Sequence, residues 1–298
     1  MIRRNAKRKS SDFPFSTLEE QAISAAIAAG KATLNYRNSD TLAVKSKADK
    51  SPVTEADQHA HRIITEAMKD SEFPVVSEEG EIPADQERLD WNCFWLVDPL
   101  DGTKEFIRGS EEYTVNIGRV EKGSPVFGVI YVPVKGWLYI GKKAKKIWLK
   151  LDLNGVEGSW KEILDQAIEL RADQDLKRPH ILTSRSHPDK STQAFHEWVI
   201  DQADSGSGVT VTAVGSSLKF CYLAEGQGNL FFREGRTMEW DTAAGQAICE
   251  AAGIGVFDNR TRQALSYNKE HLANGGFYCV GPAWRKKTEK GVKEVISS

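Results

Sequence analysis

Two regimes of hydrophobic patterning divide the chain. From Ser16 the stretch STLEEQAISAAIAAGKATLNY joins a capping box, Ser16-Thr17-Leu18-Glu19, to an Ala- and Ile-rich run, which predicts a helix reaching about Tyr36. A second start signal, Thr54-Glu55-Ala56-Asp57, precedes Ala60, Ile63, Ile64, Ala67 and Met68, whose spacing puts them on one helical face. The polar segment LAVKSKADKSPVT between them reads as an exposed loop. From Pro74 the period shortens. PVVS, CFWLV, YTVNIGRV, PVFGVIYVP and GWLYIG are short apolar or alternating runs separated by turn residues, the pattern of a mostly antiparallel sheet. Beyond a polar seam around Asp173 to Pro179, strands and helices alternate. Strand HILTS leads to a helix from about Asp189 to Gln202, strand VTVTAV, a helix from about Ser217, and strand NLFF. A helix from about Thr242 to Ala252 and short strands at VF and FYCV complete the series, which predicts a second, partly parallel sheet covered by helices. There is no internal repeat and no low-complexity segment.

At 298 residues the chain can bury a sizeable core as one large domain or two packed ones. The expected division is a basic, disordered arm at 1–15, an α+β subdomain at 16–176 and an α/β subdomain at 177–298. A formal net charge of −2 argues against an extended nucleic-acid footprint. Cys93, Cys221, Cys249 and Cys279 are widely spaced and form no CxxC pair. That argues against a disulfide framework or a zinc site and for reduced thiols in a cytoplasmic protein. No apolar run approaches the roughly 18 residues of a membrane span. The opening MIRRNAKRK is basic but lacks the apolar core of a secretory signal; weak peripheral contact with an anionic membrane is the one role it suggests.

The candidate chemistry lies at element ends. Glu78 and Glu79 follow PVVS, Asp98 and Asp101 follow FWLV, and Asp241 opens DTAAGQAICEAAG. Singly, each has an ordinary reading as a solvated charge, a turn former or a helix cap. Brought together, they could not all remain ionised unaided, and a hard divalent cation such as Mg²⁺ would resolve the conflict. The turn DPLDGT suits that task. Asp98 and Asp101 can point inward with the Leu100 carbonyl, Gly102 permits close backbone approach, and Thr103 offers a hydroxyl to water. Two ions roughly 3.5–4 Å apart would form the clamp used in in-line phosphoryl displacement.

WLVDPLDGT, SEEG and WDTAAGQAICEAAG, in this order and spacing, resemble the three signatures of the inositol monophosphatase superfamily, over about residue 17 to the C-terminus. The resemblance implies the layered αβαβα sandwich of the inositol monophosphatase and fructose-1,6-bisphosphatase type, built of two packed subdomains. It also implies two or three Mg²⁺ ions held by Glu78, Asp98, the Leu100 carbonyl, Asp101 and Asp241, with Thr103 positioning the attacking water.

Within that superfamily, DGTKEF is more similar to the 3′(2′),5′-bisphosphate nucleotidases than to the inositol monophosphatases. KADKSPVTEAD resembles a nucleotidase loop whose aspartate, here Asp49, pairs with the threonine to polarise water. SRSH and GSSLKFC resemble nucleotide-binding segments. They imply Ser184, Arg185 and His187 near the adenosine and its 5′-phosphate, backbone amides of Gly215 and Ser216 on an anion, and Lys219 on the non-scissile phosphate. Arg233, Arg236 and Glu239 are expected to border the sugar and phosphate. The turn Glu234-Gly235-Arg236-Thr237 departs from the proline-containing turn usual in these nucleotidases.

The implied activity is Mg²⁺-dependent removal of the 3′-phosphate of adenosine 3′,5′-bisphosphate, giving AMP and phosphate, with the sulfated donor nucleotide as a possible second substrate. Inositol phosphate or another sugar phosphate is the alternative with the same metal chemistry. An aspartyl-phosphate hydrolase is disfavoured, because that chemistry wants two aspartates two apart and here they are three apart. A non-catalytic metal- or nucleotide-binding protein would have no need of Thr103 beside a full acidic set. The expected partner is a small nucleotide, with the chain a monomer or homodimer.

Overall fold

The computed structural model describes residues 15–37, 44–46, 52–145, 147–156, 158–170, 178–186, 189–203 and 208–297. The chain opens with α1 (Thr17–Thr33), where Ser16 and Glu19 cap each other reciprocally, and continues through one 3₁₀ turn to Tyr36. The short antiparallel pair β1 (Val44–Ser46) and β2 (Pro52–Thr54) leads into α2 (Glu55–Ala67). Then follow β3 (Val75–Ser77), α3 (Asp85–Arg88), β4 (Cys93–Asp101) and α4 (Thr103–Ile107). Strands β5 (Thr114–Glu121), β6 (Ser124–Val132), β7 (Trp137–Lys142), β8 (Ile147–Asp152) and β9 (Ile168–Glu169) complete the first sheet. It runs in the order β3-β4-β5-β6-β7-β8-β9, and every pairing is antiparallel except β3 with β4.

The second half runs β10 (His180–Ser184), α5 (Lys190–Gln202), β11 (Thr210–Val214), α6 (Leu218–Ala224), β12 (Leu230–Arg233) and β13 (Thr237–Met238). It ends with α7 (Glu239–Ala251), β14 (Gly255–Asp258), β15 (Ala273–Asn274), β16 (Phe277–Val280) and α8 (Arg285–Ser297). The second sheet has the order β11-β10-β12-β16-β14, parallel between β10 and both its neighbours and antiparallel beyond β12. Both sheet types expected from the patterning are therefore present. The expected seam lies mostly outside the described residues.

Three apolar layers hold five layers of structure together. Ala22, Ile23, Ala26 and Ile64 of α1 and α2 pack with Trp95, Ile117 and Val129 on one face of the first sheet. On its other face, Phe220, Cys221, Ala243, Ala244 and Ile248 of α6 and α7 fill the space between the two sheets. Phe195, Val199 and Val292 of α5 and α8 cover the outer face of the second sheet with Ile181, Phe232 and Tyr278. The result is a helix–sheet–helix–sheet–helix sandwich. Among the described residues, no helix is long and apolar enough to cross a membrane.

Helix α8 was absent from the patterning because RKKTEKGVKEVIS holds so few apolar residues. Tertiary contact supports it instead: Val292 is fully buried, and the Trp198 indole lies so close to Gly291 that a Cβ there would sit 2.4 Å from the ring. Strands β8 and β9 also went unanticipated. Helix α7 begins three residues earlier than expected, so Asp241 is its third residue and not its cap, with Oδ2 accepting from the Met238 N–H at 2.8 Å.

At three strand positions the central helix lies on the first sheet with no strand side chain between them. Gly118, Gly128 and Gly141 stand side by side on β5, β6 and β7, in mutual register. A Cβ on Gly128 would fall 2.3 Å from the Ala244 carbonyl oxygen, and one on Gly141 would fall 2.5 Å from the Ile248 Cα. Three adjacent glycines thus cut a groove for α7, a use of strand glycine where another backbone must approach. We expect Gly128→Ala to cost about 3 kcal/mol or more, because backbone and not a flexible side chain blocks the new methyl. Thermal unfolding checks this, with Gly275→Ala, whose nearest neighbour is 4.0 Å away, as a near-neutral control.

Candidate active site

Strand β4 delivers its acidic end into a cavity of 610 Å³ between the two sheets. Its residues Cys93 to Asp98 pair with β5, and the register slips between Asp98 and Asp101, so the Pro99-Leu100 segment bulges out of the ladder. Within the bulge, Asp98 Oδ1 accepts from the Leu100 N–H at 3.0 Å. Gly102 then turns the chain with φ 93°, a left-handed value that favours glycine, and α4 begins at Thr103.

Carboxylate oxygens of Glu78, Asp98 and Asp241 lie within 4.8 Å of one another. They arrive from the end of β3, the end of β4 and the first turn of α7. Burial raises the Asp98 carboxyl well above the usual carboxylate range, and Glu78, Asp101 and Asp241 raise it further. Asp241 is raised by burial first, then by Asp101 and Glu78. Such a set is unfavourable without a compensating charge. All-oxygen donors in this number match Mg²⁺, so the residues present fit the metal that the sequence implies.

Asp101 is held differently. Its Oδ2 accepts from the Ser217 N–H and hydroxyl, both at 2.5 Å, and from Asn116 at 3.4 Å. Ser217 Oγ also lies 2.9 Å from the Asp241 carbonyl, so one serine ties the turn after β4 to the start of α7. Two further carboxylates cross in the same sense: Glu105 accepts from the Ser186 hydroxyl, and Glu112 binds Arg185 and the Gly215 N–H.

Thr103 Oγ1 is 3.0 Å from Asp57 Oδ1 and 3.4 Å from the Leu100 carbonyl. Asp57 does two things at once. Its Oδ2 accepts from the Thr54 N–H at 2.9 Å and hydroxyl at 2.5 Å, closing the capping box of α2, while Oδ1 faces Thr103. Burial raises its carboxyl; the bonds from Thr54 oppose this and nearby Glu79 adds to it. Sequence reasoning took Thr54-Glu55-Ala56-Asp57 as a helix start only. The available signal was an acidic third residue in a box that also faces a Thr-containing turn. Asp49, the expected partner of Thr103, lies outside the described residues, as does His187.

The other expected site residues divide. Leu100, Gly102, Ser184, Ser216 and Arg236 line the cavity along with Glu78, Asp98, Asp101, Thr103 and Asp241. Lys219 lines it too, although only 6% exposed; its ammonium donates to the Ser216 and Val214 carbonyls at 2.5 and 3.2 Å. Burial pushes that amine down to about 8. Arg233 lines the cavity and closes the departing turn by donating to the Gly235 and Arg236 carbonyls. Among the described residues, Arg236 reaches only the Met238 sulfur, at 3.8 Å.

Two expectations need correction. Glu239 does not border the cavity: it is fully buried and accepts from the backbone of Asn268 and Lys269 and from the Lys269 ammonium at 2.6 Å. Two residues before Asp241 on the same helix, it faces a different direction and anchors the 268–269 loop. Gly215 lines the cavity, but its N–H is taken by Glu112 Oε2 at 2.7 Å, and the Ser217 N–H by Asp101. A carboxylate of the protein itself therefore takes the Gly215 amide, one of the two donors expected, with Ser216, for an external anion. Glu79, the other acid after β3, accepts from Gln58 at 3.0 Å.

The description "inositol monophosphatase family" matches residues 15–296. The 3′(2′),5′-bisphosphate nucleotidase CysQ of Salmonella typhimurium is 38% identical over 261 residues, covering 87% of this chain and 97% of that protein. CysQ of Escherichia coli K12 is 37% identical over the same shares. Among solved structures, CysQ from Bacteroides thetaiotaomicron, described as a bacterial member of the inositol monophosphatase family, superposes with a TM-score of 0.77 at 37% identity, over 88% of this chain and 96% of that one. With its metal-fitting carboxylates at the mouth of the central helix layer and matched over nearly its whole described length, the chain belongs to the inositol monophosphatase family and is similar to its CysQ-type bisphosphate nucleotidases.

Proposed function

We propose that this protein is a Mg²⁺-dependent 3′(2′),5′-bisphosphate nucleotidase that converts adenosine 3′,5′-bisphosphate to AMP and phosphate, with the sulfated donor nucleotide a second substrate. The observation that carries the reading is a single cavity joining the Glu78, Asp98 and Asp241 carboxylates to the cations of Lys219, Arg185 and Arg233. A substrate with two phosphates can be met at both ends: one at the acidic cluster through metal, the other at the cationic wall. Relatives named as bisphosphate nucleotidases at 37–38% identity support it.

Glu78, Asp98, the Leu100 carbonyl, Asp101 and Asp241 would hold two or three Mg²⁺ ions. Bound there, the metal supplies charge neutralisation for a phosphoryl group and acidifies water. The chain's own residues supply orientation and proton handling. Thr103 is fixed by Asp57, and its hydroxyl can direct a water toward phosphorus and pass the proton to the Asp57 carboxylate. Raised by burial, that carboxyl is a better proton acceptor than a solvated aspartate. Lys219 meets the non-scissile phosphate in a place shielded from water, where a charge counts for more.

Phosphate release from adenosine 3′,5′-bisphosphate, inositol 1-phosphate and fructose 1,6-bisphosphate, with and without Mg²⁺, tests the reading. We expect the nucleotide to be preferred and release to vanish on chelation; preference for the inositol ester would overturn it. Asp57→Asn keeps an acceptor for Thr54 and should fold, but should lower kcat by roughly 10²–10⁴-fold. Near-normal turnover would remove Asp57 from the proton path. Lys219→Ala should raise KM for the bisphosphate far more than for adenosine 3′-monophosphate. In the native protein the Lys219 amine loses its proton above about 8, so the same KM should climb as pH passes that value. A flat KM between pH 7 and about 9 would detach Lys219 from the phosphate.

A further inference from the structure

Among the cations lining the cavity, Arg185 is gripped by a carboxylate. Its Nε and Nη2 meet Glu112 Oε2 and Oε1 at 2.8 and 2.9 Å, the fork-to-fork geometry that fixes a guanidinium in plane, and Nη2 also donates to the Ala213 carbonyl at 2.7 Å. Glu112 is itself pinned by the Gly215 N–H at 2.7 Å. That approach depends on Gly215, since a Cβ there would sit 2.9 Å from the Glu112 carbonyl oxygen and 3.0 Å from its Cβ. Among the described residues, Arg233 and Arg236, by contrast, reach only backbone carbonyls and a sulfur.

With side chains 46% and 21% exposed, the Arg185–Glu112 pair adds little to stability. Its consequence is orientation. The Nε–Nη2 edge of Arg185 is fully spent on Glu112 and Ala213, while Nη1 has no partner among the described residues. Arg185 lines the cavity, so the remaining donors belong to a guanidinium held in one place before any ligand arrives. A free arginine would lose rotamer freedom on binding; a clamped one has already lost it.

We propose that Glu112 is a positioning residue that sets Arg185 for the second, non-reacting phosphate of a bisphosphorylated nucleotide, and so sets the preference for bisphosphate over monophosphate. This rests on the nucleotide reading of the cavity. Among the described residues, the Glu112 side chain makes no hydrogen bond to the carboxylate cluster or to Thr103; the one cavity cation it grips is Arg185, and its remaining bond, from the Gly215 N–H, fixes where it stands.

The experiment is steady-state hydrolysis of adenosine 3′,5′-bisphosphate and adenosine 3′-monophosphate by the native protein, Glu112→Gln, Arg185→Ala and the double variant, each checked by thermal unfolding. Glu112→Gln should raise KM for the bisphosphate about tenfold, as expected when a charged hydrogen-bond partner is lost, with kcat little changed. KM for the monophosphate should move less than about twofold, and the double variant should be no worse than Arg185→Ala, the non-additivity of residues acting as a unit. Equal losses on both nucleotides would make Glu112 merely structural and overturn the proposal. Tighter bisphosphate binding by Glu112→Gln would overturn it too, since Glu112 would then compete with phosphate. A native preference that persists unaltered in Glu112→Gln sinks this inference alone. Failure of the native protein to hydrolyse either nucleotide sinks the nucleotide reading and this inference with it.

Discussion

The groove cut by Gly118, Gly128 and Gly141 fixes everything downstream of it. Helix α7 touches the first sheet backbone to backbone, with virtual Cβ positions 2.3–3.1 Å from Ala243, Ala244 and Ile248. That contact leaves α7 almost no freedom to slide or roll, because protein interiors respond to such crowding by clashing and not by yielding. Asp241, on the first turn of the same helix, is therefore carried to a set point beside Asp98 and Glu78. Phe220 of α6 lies equally close to Gly245 on the opposite side of α7, so the helix layer is locked from both faces.

A fold that forces carboxylates together must be held against their repulsion. Here the restraint is a row of crossings from the 101–116 segment of the first half to the 184–186 and 215–217 loops of the second. Asp101 meets Ser217, Glu105 meets Ser186, and Glu112 meets Arg185 and Gly215. Each acid accepts from the far side, so the negative charge that burdens the site also fastens its two walls. The same economy appears in Asp57, which caps α2 with one oxygen and faces Thr103 with the other.

Much of this was legible in the order of residues. Period-2 runs gave the first sheet and strand–helix alternation gave the partly parallel second one, because backbone hydrogen bonding and one-sided burial leave a local periodic trace. Helix α8 left none: its apolar content is too low, and what supports it is the Trp198 ring against Gly291, a contact across some ninety positions. Glu239 misled for a similar reason. It stands two residues before the metal-fitting Asp241 in sequence, yet on a helix positions two apart face about 200° apart, which sends Glu239 to Lys269.

Sequence alone determined the chemistry available: the acid-rich turn DPLDGT, the Glu78-Glu79 pair, the WDTAAG helix start and the cations of the second half. Residue type and local backbone propensity are properties of neighbours along the chain, so they can be read there. Only tertiary structure decided which of those groups meet. It gave Asp57 and not another helix-start residue to Thr103, spent the Gly215 amide on Glu112, and turned Ser217 into the tie between Asp101 and α7. Those pairings depend on how closely two sheets and a helix layer can approach. That distance is set by side-chain volume, and at three strand positions by the lack of a side chain.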